Sequence, residues 1–214
     1  MRVKTMHQMT RAALVLLAVM AAGCGKYVRE QGRSPSQPVI MSLQGASGAT
    51  PTQFGGFLQS DVVTNVTSPA PCTSDSPCPT IFNDVGQVTM SLILKDPGQL
   101  GVASAPTDLN QVTFTRYHIT YRRADGRNTP GVDVPFAFDG AATFTVSGGQ
   151  SATAAFEMVR HDAKLEAPLL ALRSSAVSIT TIADVTFYGR DQAGNDVAVS
   201  GSIQIDFGNF GDPS

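Results

Sequence analysis

From residue 38 onward, apolar and polar positions alternate in short blocks separated by turn residues. Pro38-Val39-Ile40-Met41-Ser42-Leu43 and residues 57–63 are strand-like, and Gln87 to Leu94 forms a longer strand stopped by Lys95-Asp96-Pro97-Gly98. In the stretch 111–121, Tyr117, Ile119 and Tyr121 take one parity and Val112 and Phe114 the other. A phase change of that kind predicts a bulge, or cover on both faces. Asp125-Gly126 turns the chain into a strand at 132–138, and Asp139-Gly140 is read as the turn into Ala142 to Val146. Gly148-Gly149 then separates this strand from Ala152 to Val159. The clearest alternation comes last. Ile179, Thr181, Ala183, Val185 and Phe187 share one parity, as do Val197, Val199, Ile203, Ile205 and Phe207, with Asp191-Gln192-Ala193-Gly194-Asn195 as the hairpin turn between them. Only residues 160–175 break the period of two. They predict a short irregular or helical excursion interrupted by Pro168. The expected fold is all-β, an antiparallel sandwich.

The first residues follow a different logic. A basic head (Arg2, Lys4, Arg11) precedes an apolar run from Ala12 to Ala22, too short for the about 20 residues a spanning helix needs. Small residues follow, so the segment reads as a removable secretory signal. Its end, Ala21-Ala22-Gly23-Cys24, resembles the lipobox of bacterial lipoproteins, in which the cysteine thiol receives a diacylglycerol before cleavage in front of it. Gly25, in place of Asp, is similar to the pattern of lipoproteins passed on to the outer membrane. The resemblance implies a signal at 1–23 and lipidation of Cys24; the residues that follow, without apolar periodicity, read as a flexible tether at 24–37 ahead of a single elaborated domain at 38–210 and a short tail at 211–214. No internal repeat divides the domain. The implied address is the bacterial cell envelope, at the outer membrane, with the membrane engaged through the N-terminal lipid.

Composition narrows the function classes. Charged residues make up 15% of the chain, the formal net charge is −2, and the signal removes basic residues only. That balance argues against a nucleic-acid partner, which needs clustered Lys and Arg to neutralise phosphates. An odd count of 3 cysteines fits the same picture. Cys24 takes the lipid, and Cys72 and Cys78 are expected to form a disulfide closing a small loop in an oxidising compartment. Metal binding is the competing reading of that pair, but the spacing exceeds C-x₂₋₄-C and no second Cys or His pair lies nearby.

Two further resemblances bear on the fold. Thr186 to Asn195 is similar to the final hairpin of bacterial immunoglobulin-like domains, and Tyr117 to Gly126 resembles the third strand and turn of fibronectin type III modules. Both imply an immunoglobulin-like β-sandwich with extra N-terminal strands. The chain has no tryptophan, so the antibody-type core anchor is missing.

Candidate chemistry is sparse. His7 leaves with the signal, so His118 and His161 are the histidines that remain, and none of the H-E-x-x-H, G-x-S-x-G, G-x-G-x-x-G or P-loop motifs occurs. No catalytic residue, metal or cofactor is expected. Loop carboxylates at Asp125, Asp191 and Asp196 suggest calcium, without EF-hand spacing. The one basic concentration is Arg116, His118, Arg122, Arg123 and Arg127, readable as a patch for an anionic partner or as a solvated strand face with flanking turn charges. The expectation is a lipid-anchored, exported, non-catalytic envelope or surface module that binds an envelope protein or a surface polysaccharide. The alternative is a lipid-anchored hydrolase or carbohydrate-active protein with a loop-built site.

Overall fold

The structure is a computed structural model describing residues 34–210 apart from Pro97, Leu100 and Gly101. The signal, Cys24, most of the tether and the tail at 211–214 lie outside the described residues. The chain is all-β. Its long strands are β1 (Ser36–Ala46), β5 (Asp84–Leu94), β8 (Val112–Arg122), β9 (Phe138–Val146), β10 (Ala152–Val159), β11 (Ile179–Asp191) and β12 (Asp196–Gly208). Shorter strands are β2 (Phe57–Asp61), β3 (Thr64–Val66), β4 (Cys78–Thr80), β6 (Gly98–Gln99) and β7 (Val102–Ala103).

Two sheets share one core. A three-stranded sheet runs β1-β5-β10, and a five-stranded sheet runs β2-β12-β11-β8-β9, the latter curled into a half-barrel. The residues that alternate inward meet between them: Val88, Met90, Phe156 and Met158 from the first sheet, and Phe114, Tyr117, Ile119, Val185, Phe187, Ile205 and Phe207 from the second. The Phe156 ring lies edge-on to Phe187 at 5.2 Å and tilted against Tyr117 at 5.1 Å, so aromatic contacts tie the layers together. Burying each such side chain contributes on the order of 2 kcal/mol.

The phase change in β8 is a bulge. Arg116 pairs with Tyr188 but Phe114 with Gly189, which leaves Thr115 as the extra residue against β11 and returns both Phe114 and Tyr117 to the core. Gly189 permits this, since a Cβ there would sit 2.4 Å from the Thr113 carbonyl oxygen. The excursion forms two 3₁₀ turns, Asp162–Leu165 and Leu169–Ser174, with Pro168 immediately before the second. Cys72 and Cys78 are disulfide-bonded, and Cys78 also pairs with Val66 across the β3–β4 hairpin.

Four expectations need correction. Not every pairing is antiparallel, because β2 joins β12 in parallel after the chain crosses from the edge of one sheet to the other. The stretch 132–137 is no strand: residues 131–133 lie in a turn, where the Thr129 carbonyl accepts from the Val132 and Asp133 amides and Gly131 N–H donates to Val134 C=O, and Val134 makes only an isolated parallel bridge to Pro130. Asp139-Gly140 is then no turn but the start of β9, where Gly140 leaves room for the Tyr117 ring. Strand β1 also begins at Ser36, inside the segment read as tether.

Candidate functional site

The outer face of the five-stranded sheet carries the outward-pointing parity of β8, β11 and β12. Arg116, His118, Thr120 and Arg122 line β8; Asp184, Thr186 and Tyr188 line β11; Ser200, Ser202 and Gln204 line β12. The basic residues singled out in the sequence divide here. Arg116, His118 and Arg122 share this face, whereas Arg123 and Arg127 lie in the turn beyond it and both clamp Asp125.

Side chains cross-link the strands of this face. Arg116 lies 4.1 Å above the Tyr188 ring and also pairs with Asp139 at 3.0 Å. In the next row Asp139, His118, Thr186 and Ser200 stand in register on adjacent strands. Asp139 Oδ1 is 3.3 Å from His118 Nδ1, and the Thr186 and Ser200 hydroxyls share a hydrogen bond of 2.8 Å. Beyond them, Arg122 Nε donates to Asp184 at 2.6 Å, and Ser202 donates to the same carboxylate at 2.5 Å. Partial burial pushes the Asp184 carboxyl up, but the hydrogen bonds from Arg122 and Ser202 outweigh it and hold it below the usual range. In the turn, the Arg123 and Arg127 hydrogen bonds hold Asp125 well below the ordinary carboxylate value.

The basic patch is therefore a charge-matched grid. Its arginines face Asp139, Asp184 and Asp125 rather than standing as free cations. Such a surface presents donors and acceptors fixed in place, suited to hydrogen-bonded recognition rather than to bulk attraction of an anion. His118 has the orienting half of a catalytic constellation in Asp139, but the hydroxyl across from it is engaged with Ser200. The His161 ring lies against its neighbour Asp162, with Nδ1 at 3.2 Å from the carboxylate.

The calcium candidates are occupied by protein partners. Asp191 accepts from the Asn195 amide and side chain, Asp196 pairs with Arg190, and Asp125 is held by its two arginines. Among the described residues no three His, Cys, Asp or Glu side chains converge to hold a metal, and no helix is long and apolar enough to cross a membrane.

Sequence reasoning missed one charged cluster altogether. Asp84, with no exposed surface, accepts from Lys164 Nζ at 3.0 Å, from the Gly48 amide at 2.9 Å and from Ser60 Oγ at 2.6 Å. Lys164 Nζ also donates to the Asp61 carbonyl at 2.9 Å. Burial raises the Asp84 carboxyl above its ordinary value despite these partners. The cluster ties β5, β2 and the excursion together inside the protein, so its role is architectural.

No protein family, no curated protein and no solved structure matches the chain.

Proposed function

We propose that this chain is a lipid-anchored, exported, non-catalytic module of the bacterial envelope, held at the outer membrane through Cys24, that binds an envelope protein or a surface glycan on the outer face of its five-stranded sheet. The observation that carries the binding half is the grid itself. Arg116 on Tyr188, His118 on Asp139, Thr186 on Ser200, and Arg122 with Ser202 on Asp184 form consecutive rows of oriented polar groups on an open face. Holding these side chains in advance lowers the ordering cost of binding. An aromatic ring beside hydroxyls and an arginine suits either a sugar or the backbone and side chains of a protein.

The fold is read as an immunoglobulin-like sandwich. The strand orders support this: β1, β5 and β10 make one sheet, while the final hairpin β11–β12 sits beside β8 in the other. The anchoring half rests on the lipobox at Ala21 to Cys24. Blocking signal peptidase II is expected to leave an unprocessed precursor in the inner membrane, visible as a mass shift. Normal maturation under the block overturns the anchor.

A further inference from the structure

A second site lies between strand β2 and the loop that leads into it from β1. Gly45 and Gly55 exchange both backbone hydrogen bonds, at 3.0 and 2.9 Å, and so close the base of the loop. Farther along, the Gly48 amide donates to Asp84, which fixes this part of the loop to the buried Lys164 cluster. Two reverse turns, Thr50 N–H to Ser47 C=O and Gln53 N–H to Thr50 C=O, set the stretch between. The loop and β2 bound a cleft of about 400 Å³, with Ser47, Thr50, Gln53, Phe54, Phe57 and Gln59 in its lining. That volume falls in the range of about 300–1,000 Å³ common to small-molecule sites.

Phe57 and Gln59 take the outward parity of β2, and Phe57 is 55% exposed. A lone exposed phenylalanine needs no explanation. Here, however, the ring stands in a cleft with two side-chain amides and two hydroxyls, and no charged residue lines it. Among the described residues the Thr50, Gln53 and Gln59 side chains make no hydrogen bond, and the Ser47 hydroxyl accepts only from the Ala49 amide. The polar grid differs in this respect, because its donors and acceptors are spent on one another. In register with Phe57 and Gln59 on β12 stand Gln204 and the carboxylate of Asp206.

We propose that this cleft binds one ring of a neutral oligosaccharide, laid with a C–H face on Phe57 and with its hydroxyls toward Thr50, Gln53 and Gln59. The negative face of an aromatic ring attracts the slightly positive C–H groups of a pyranose. Each glutamine amide offers both a donor and an acceptor, which matches the dual character of sugar hydroxyls. The sugar is neutral rather than acidic, because no cation lines the cleft and Asp206 stands beside Gln59. Pinning the loop at Gly45, Gly48 and Gly55 lowers the ordering cost of binding. The cleft adjoins the polar grid but does not rest on the role proposed for it.

The test titrates the full chain with cellotriose, maltotriose and triacetylchitotriose, and with trigalacturonate as the acidic comparison, by calorimetry and by NMR of the side-chain amides. At least one neutral trisaccharide is expected to bind saturably and to shift the Gln53 and Gln59 side-chain resonances, while trigalacturonate does not bind. Phe57→Ala should weaken that binding at least tenfold with the denaturation midpoint of wild type, and Phe57→Tyr should retain it. Thr186→Arg, on the polar grid, should leave it unchanged, so that failure here and failure of the sheet-face reading are told apart. The proposal is overturned if none of the neutral sugars saturates, or if folded Phe57→Ala binds as wild type does. Equal binding of trigalacturonate overturns it as well.

Discussion

At the scale of residues, Lys164 is a charged side chain with almost no exposed surface. A buried ion pair adds little net stability compared with apolar residues of the same shape, but removing one partner strands the other charge. Lys164→Met leaves the Asp84 carboxylate enclosed with Ser60 and Gly48 as its donors among the described residues. The expected cost is about 3–5 kcal/mol in urea denaturation at neutral pH. Because burial already raises the Asp84 carboxyl, the deficit should shrink as pH falls and the group becomes protonated. Adding Asp84→Asn to Lys164→Met should recover much of the loss. A Lys164→Met variant within 1 kcal/mol of wild type on that scale would contradict this account. Nothing in the sequence around Lys164 announces its burial. The residue sits in the one stretch without alternation, and its partners Asp84 and Ser60 are remote in the chain. Tyr188 and Asp184, by contrast, were legible as wet-face residues from parity alone, though their pairing with Arg116 and Arg122 needed the strand register.

At the scale of elements, the period of two identified the long strands, and the phase change in β8 located its bulge, because core-facing parity is a direct consequence of pleating. It failed around residues 132–140. There the alternation of Val132, Val134 and Phe136 mimics a strand, while carbonyl–amide bonds local to Thr129 fold the segment into a turn. Asp-Gly, a common turn signal, instead lies in β9 because Gly140 is where the Tyr117 ring needs space. Gly140→Ala would set a methyl 2.1 Å from that ring. Overpacking of this kind costs about 1–3 kcal/mol. The expected result is a lower denaturation midpoint with an unchanged denaturant slope. Wild-type stability in this variant would show that β9 tolerates the displacement of Tyr117 and that the close contact does not fix its start.

At the scale of the molecule, the domain presents two differently built surfaces. The five-stranded sheet faces outward with paired charges and hydroxyls. The outer face of the three-stranded sheet carries Thr89 and Thr153, which bond to each other at 3.0 Å, and the apolar Ile93 and Met41. If the polar grid is the recognition surface, its partner contacts the outer face of the five-stranded sheet and not that of the three-stranded sheet. The most direct measurement is site-specific photo-crosslinking in the native host, with the probe placed at Thr186 in one strain and at Thr89 in another. The account predicts a discrete, reproducible adduct from position 186, lost when Tyr188→Ala and Arg122→Ala are added, and none from position 89. Adducts from position 89 with none from position 186 would contradict it.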